Sequence, residues 1–192
     1  NVSVRINRYI AMCGICSRRK AEDLIKTGQV YLNNSLVKNL AVQVFPGDKV
    51  KVNGKKILPQ TKRYVLLNKP KGYITTMSDD RGRKIVSSLV ENIYKERIVP
   101  VGRLDKDTTG LLMFTNDGLL AKKLMHPKYE IKKVYHVLLD KDLEEKDFLN
   151  IESGLVLDDG VVNVDSLSYL DSFRRLKIEI HVGKNRVVRR VF

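Results

Sequence analysis

The chain has 192 residues, 43% hydrophobic and 30% charged, which suits a folded protein of one or two domains and excludes a disordered one. Its 36 Lys and Arg against 22 Asp and Glu leave a net charge of +14, a balance that favours a polyanion through counterion release. No apolar run approaches the roughly 18 residues of a membrane span, and a basic membrane-surface helix would want Trp or Phe on a broad apolar face, whereas this chain has no Trp. Ile6, Tyr9, Ile10 and Cys13 share one helical face over residues 5–12, and Gly14 ends that helix. Cys13 and Cys16 form a C-x-x-C, but zinc needs four ligands and His126, His136 and His181 lie far off in sequence. The two cysteines therefore read as small apolar residues near a helix end, in a reducing, cytoplasmic setting. Ser17 is the expected N-cap of a second helix that runs to about Thr27 and stops at Gly28. Ala21, Leu24 and Ile25 give it an apolar face, with Arg18, Arg19, Lys20 and Lys26 outside. Residues 30–32 and 36–37 read as strands about an Asn33-Asn34 turn, and residues 50–52 lead into the hairpin signal Asn53-Gly54.

Residues 1–62 carry 12 basic and 3 acidic side chains, and residues 63–192 carry 24 and 19. A small, strongly basic part joined to a near-balanced larger one suggests an anchoring module beside a working domain. The helix pair, the hairpins and the text SRRKAEDLIKTGQVYLNN (17–34) and PGDKVKVNGK (46–55) resemble the small RNA-binding domain named after ribosomal protein S-four, over roughly residues 4–55. That resemblance implies that Arg5, Arg8, Ser17, Arg18, Arg19 and Lys20 face an RNA backbone.

Residues 56–63 read as a linker. An apolar strand over 64–67 is broken by Lys69-Pro70-Lys71-Gly72 and resumes over 73–76. An exposed loop is expected at 78–84 and a short helix at 85–94; residues 98–101 form a short apolar run, and 111–115 read as a buried strand. Asn116-Asp117-Gly118 is a turn, followed by a helix over 119–125 that Pro127 stops, with His126 structural rather than catalytic. A strand at 133–139, a helix at 144–151, a half-buried strand at 176–182 and a helix from Arg186 complete the chain. Strands recur without regular βαβ spacing, so the second part should be α+β with a mixed, mainly antiparallel sheet. The chain starts at Asn1 without a Met and stops at Phe192 within an expected helix, which suggests a processed or truncated polypeptide.

The densest chemistry lies between Val101 and Gly118, where Arg103, Asp105 and Asp107 stand between Gly102 and Gly110. A calcium loop counted from Asp105 would find Thr109 and Gly110 acceptable, but Asn116 stands where a Glu is needed and the flanks read as strands, so no metal is expected. No G-x-G-x-x-G or Walker loop is present, and no cofactor is expected.

Four segments in order are similar to the pseudouridine synthases, specifically their RsuA/RluB branch. Asn68-Lys69-Pro70-x-Gly72 matches the opening motif. Gly102-Arg103-Leu104-Asp105-x-x-Thr108-x-Gly110-Leu111-Leu112 with Thr115-Asn116-Asp117-Gly118 matches the central one. Lys133-Val134-Tyr135-x-Val137 and Val182-Gly-Lys-Asn-Arg-Val-Val-Arg-Arg190 match the last two. Lys184 stands where the branch often has Arg and Val187 where it often has Gln, which touches substrate contacts more than activity.

The resemblance implies an RNA-binding domain over 1–60 and a pseudouridine synthase domain over 61–192, incomplete at its C-terminus. It implies Asp105 as nucleophile, Arg189 as the cation that keeps it ionised, and Tyr135 stacked on a flipped uridine and assisting proton removal. Arg103 would fill the space the base leaves, Lys69 would support the site or touch phosphate, and Arg186 would contact RNA. The expected partner is ribosomal RNA, large-subunit in preference, or a pre-ribosomal particle, met by a cytoplasmic monomer without membrane contact. A non-catalytic RNA-binding assembly factor, which replacement of Asp105, Tyr135 or Arg189 would have favoured, and a synthase acting on another structured RNA are the alternatives.

Overall fold

The computed structural model describes residues 2–192. They form two compact units, one ending at Leu119 and the other spanning Leu120–Phe192.

The first unit opens with β1 (Val4–Arg5), α1 (Ile6–Met12) and α2 (Arg18–Lys26). Helix α2 starts where it does because Ser17 Oγ accepts the Lys20 backbone N–H at 3.2 Å, satisfying an orphan donor of the first turn. Between the helices, Gly14 has φ +74°, a left-handed angle that a residue with a side chain would adopt only under strain. Ile6, Ile10, Cys13, Ala21 and Ile25 project into a core shared with the strands that follow. These are β2 (Val30–Leu32), β3 (Ser35–Leu36), β4 (Gln43–Val44), β5 (Val50–Val52) and β6 (Lys55–Ile57). They make an antiparallel sheet in the order β3-β2-β5-β6, while β4 pairs with β1. Both tight turns, Asn33-Asn34 (φ 48° and 67°) and Asn53-Gly54 (φ 50° and 75°), have the left-handed pair that matches strand twist in two-residue hairpins. Because β6 takes residues 55–57, the expected linker is shorter, and it lies against α1, with Gln60 N donating to Met12 O at 2.9 Å.

The same unit continues with β7 (Tyr64–Lys69), β8 (Val99–Val101) and β9 (Gly110–Thr115), an antiparallel sheet with β9 in the middle. Its register pairs Tyr64 with Thr115 and Lys69 with Gly110. Leu112 and Phe114 pack on Val86, Val90 and Ile98. The strand expected at 73–76 shrinks to a single parallel bridge between Ile74 and Ile85. The reason is Thr75, which turns inward and exchanges two hydrogen bonds with Leu104, Oγ1 donating to O at 2.7 Å and accepting from N at 3.1 Å. The helix expected over 85–94 is a 3₁₀ turn at Val86–Leu89. A Val-Ser-Ser start is a weak helix former, and Ile85 O accepts both Ser88 Oγ at 2.8 Å and Ser88 N at 3.3 Å, closing the tighter turn.

Helix α3 (Gly118–Met125) leads out of this sheet. His126 then caps a 3₁₀ turn, its Nδ1 accepting from Lys128 N at 3.3 Å, which is a structural role.

The second unit holds β10 (Lys133–Leu138), α4 (Glu145–Glu152), β11 (Leu155–Leu157), β12 (Gly160–Val162), β13 (Ser166–Ser172), β14 (Arg175–Ile180) and α5 (Val187–Val191). An antiparallel sheet in the order β10-β14-β13 carries the core. Leu176, Ile178 and Ile180 alternate along β14 and are each fully buried, beneath Ile151 of α4 and Val187 and Val191 of α5. The β11–β12 hairpin and β13 were not foreseen. The text Ser-Leu-Ser-Tyr-Leu-Asp-Ser of β13 has poor strand propensity, and it is a strand because β14 offers it an unpaired edge. Helices with antiparallel sheets make the fold α+β, and among the described residues no helix is long and apolar enough to cross a membrane.

Ile178→Ala should lower the unfolding free energy by about 2–5 kcal/mol, since nothing adjacent can collapse into a fully packed sheet centre. The check is the urea midpoint followed by circular dichroism, at unchanged slope.

Candidate active site

The segment from Gly102 to Gly110 leaves β8 and returns as β9, so both ends are fixed by the sheet. What fixes the middle is Lys69, the last residue of β7. Its side chain is fully buried, and its ammonium lies among four carbonyl oxygens: Pro70 and Lys106 at 3.1 Å, Asp105 at 3.1 Å and Thr108 at 2.8 Å. Burial pushes the lysine pKa below its usual range, while the charges of Asp107 and Asp105 pull it back up. Gly72 N donates to Lys106 O at 2.8 Å, Thr108 N donates to Asp105 O at 3.0 Å, and Thr75 holds both main-chain groups of Leu104. The backbone on either side of Asp105 is therefore pinned, and its carboxylate is left half-buried at the surface of the loop. A carboxylate so placed is presented to a ligand with little freedom to move.

Lys69 was expected either to support the site or to touch phosphate. With no exposure and its ammonium turned onto main-chain carbonyls, it is unavailable to RNA and is a scaffold of the loop. Arg103, exposed beside Gly102 (φ +79°), leaves the same pinned loop.

The loop expected over residues 78–84 is exposed but ordered. Asp79 organises it from within. Its carboxylate accepts the backbone N–H of Arg81 at 3.1 Å and of Arg83 at 2.8 Å, and the Arg83 guanidinium binds it as well. The Asp79 side chain is 5% exposed, and these bonds, led by those of the Arg83 side chain, hold its pKa down at about 2. Arg81, Arg83 and Lys84 are exposed on this ordered loop, whose base at Ile74 and Thr75 is bonded to Lys84 and Leu104. The Asp-Asp-Arg-Gly-Arg-Lys run was the available signal.

In the second unit, Tyr135 lies on β10 opposite Ile178 of β14, half-buried and packed on the core. Arg189 is exposed on α5, whose Val187 and Val191 seat on that same core. Arg186 is exposed and caps α5 in a left-handed conformation, φ 48° and ψ 33°. The structure thus gathers Lys69, Thr75, Arg103 and Asp105 in the first unit, and Tyr135, Arg186 and Arg189 around one core in the second.

Of the residues expected to face RNA in the basic N-terminal part, Arg5, Ser17, Arg18, Arg19 and Lys20 are exposed and Arg8 is half-buried. Ser17 also serves as the cap of α2. Cys13 is in the core, its thiol pushed up to about 12 by burial, and Cys16 is raised for the same reason, so neither is a ready nucleophile. Among the described residues no group of three or more His, Cys, Asp and Glu is placed to hold a metal ion.

Residues 63–192 match the family described as RNA pseudouridylate synthase, and residues 4–50 match the S4 domain. The ribosomal large subunit pseudouridine synthase B of Bacillus subtilis (strain 168) is 44% identical over 194 residues, covering 98% of this chain and 79% of that protein. An uncharacterized RNA pseudouridine synthase of Aquifex aeolicus (strain VF5) is 41% identical, covering 98% and 78%. A crystal structure of a pseudouridylate synthase superposes with a TM-score of 0.65 at 26% identity, over 99% of this chain and 82% of that one.

Lys69→Met should cost about 3 kcal/mol or more, because several carbonyls lose their donor inside the protein. Urea unfolding measures that loss, which a solvated lysine that only touched phosphate would not show.

Proposed function

Because this chain belongs to the RNA pseudouridylate synthase family, we propose that it converts one uridine of large-subunit ribosomal RNA to pseudouridine with Asp105 as nucleophile. The observation that carries the assignment of Asp105 is the loop itself: a half-buried carboxylate whose neighbouring main chain is held by Lys69 and Thr75. Covalent catalysis needs such a carboxylate ionised and fixed near the sugar. The choice of large-subunit RNA follows the name of the Bacillus relative.

The target base is stacked in folded RNA and must leave its stack, at a cost of a few kcal/mol. Arg103, on the same pinned loop as the nucleophile, takes the vacated space. The base stacks on Tyr135, whose hydroxyl assists removal of the proton from carbon 5. Arg189 supplies the positive charge that favours an ionised carboxylate. The reaction breaks the bond from ribose to the base nitrogen, turns the base and closes a bond to its carbon. It is a net isomerisation in which the C5 proton is lost and one is gained at nitrogen.

Residues 1–60 are the RNA-binding anchor and residues 61–192 belong to the synthase domain. Arg5, Arg8, Ser17, Arg18, Arg19 and Lys20 meet the phosphate backbone, Arg186 adds an RNA contact, and the protein works as a cytoplasmic monomer on ribosomal RNA or a pre-ribosomal particle.

Pseudouridine mapping of ribosomal RNA from cells lacking the gene tests the reading. One modification should disappear, return with the wild-type gene and stay absent with Asp105→Asn. An unchanged map would point to another structured RNA or to a non-catalytic assembly factor. In vitro, Asp105→Asn should abolish turnover with RNA affinity nearly unchanged, and a large loss of affinity would make Asp105 structural. Replacing Arg18 or Arg19 by Ala should each lower the slope of log affinity against log salt by about 1.

A further inference from the structure

We propose that Asp159, at the turn between β11 and β12, is a positioning residue for the helix that bears Arg189, gripping it through Arg190 and Lys184; this rests on the role given to Arg189 above. Helix α5 has only five residues, too few to hold a helix by itself. The stretch from 181 to 186 that leads into it has no regular structure, and its last residue, Arg186, is left-handed. A residue with a side chain keeps that conformation only where its surroundings over-determine it.

Asp159 takes hold on both sides of Arg186. Four residues after it, Arg190 donates Nη1 to Asp159 Oδ1 at 2.9 Å and Nη2 to Oδ2 at 3.0 Å, a bidentate fork that fixes direction as well as distance. Two residues before it, Lys184 donates Nζ to the Asp159 carbonyl and lies 3.8 Å from Oδ1. Gly160 leaves the path open: its φ is +111°, and a Cβ there would sit 3.0 Å from Lys184 Nζ. The hairpin is itself fixed, because Val162 is fully buried in the core beneath α5. The hydrogen bonds from Arg190 also hold the Asp159 carboxyl below its ordinary range, so the grip persists at neutral pH. Asp159 is 45% exposed, so what it contributes is geometry in place of a large share of stability. Val187 and Val191 seat one face of α5, the fork on Arg190 sets its rotation, and together they set the direction in which Arg189 leaves the helix. Arg190, which a sequence pattern would offer to phosphate, is committed to Asp159.

The experiment measures single-turnover rate and RNA affinity separately, on a transcript containing the mapped uridine, for wild type, Asp159→Asn, Asp159→Glu, Arg190→Lys, Asp159→Asn/Arg190→Lys and Arg189→Ala. Asp159→Asn should slow the reaction about 10- to 100-fold with affinity held within about twofold, since small displacements of a catalytic group act on rate and not on binding. Arg190→Lys, which keeps the charge and loses the fork, should do the same, and it replaces Asp159→Asn if that variant folds poorly. The double variant should be no slower than the slower single one, and Asp159→Glu should recover most of the rate. If Asp159→Asn reacts at the wild-type rate, loses rate and affinity in parallel, or combines multiplicatively with Arg190→Lys, the proposal is wrong. Arg189→Ala separates the two readings. If it is inactive while Asp159→Asn is normal, only the positioning role falls; if it is fully active, the role of Arg189 falls and this inference with it.

Discussion

The buried ammonium of Lys69 is the constraint from which the candidate nucleophile loop takes its shape. Taking a charge out of water costs several kcal/mol unless polar groups replace the lost hydration. Here the replacement is a set of four carbonyls drawn from Pro70 and from the Asp105, Lys106 and Thr108 stretch. The lysine can be buried only if that stretch curls around it, and the stretch can keep its curl only while the lysine stays. A strand end thereby specifies the conformation of a loop more than thirty residues further along the chain. Thr75 repeats the device at Leu104 with a hydroxyl that both donates and accepts.

The second unit solves a similar problem with exposed groups. Its central strand β14 is anchored by full burial of every second side chain, and β10, β13 and both helices take their places from it. The short helix α5 ends up at the edge of that core, where packing alone leaves its rotation loose. The ion-paired contact of Arg190 with the hairpin turn fills that gap at a site where water screens the energy but not the direction. Both units thus use charge to place main chain that hydrophobic packing does not reach.

Charge is also divided along the chain by task. The basic helices and exposed loops of the first unit keep Arg18, Arg19, Lys20, Arg81 and Lys84 in solvent, suited to a polyanion at long range. The cations that shape the structure, Lys69 and Arg190, are consumed by oxygens of the protein itself. Exposure and committed bonds tell the two kinds apart, although in a sequence they look alike.

Much of the fold was legible because local rules agree with it: the Ser17 cap, the Asn33-Asn34 and Asn53-Gly54 turns and the alternation of β14 each follow from side-chain spacing or backbone preference. The central motif around Asp105 could be located by its text, since Gly102 and Gly110 take left-handed or open backbone angles that only glycine adopts readily. Residues 73–76, 85–94, 155–162 and 166–172 were misread or missed because tertiary partners overrode weak local preferences, Thr75 turning to Leu104 and β13 borrowing the edge of β14. By itself the sequence determined the charge balance, the turns, the helix faces and the order of the motifs, all of which depend on neighbours along the chain. Only the tertiary structure decided that Lys69 is a buried scaffold and Arg190 a partner of Asp159. Those roles depend on oxygens that lie far away in sequence and arrive beside the side chain only when the sheets are assembled.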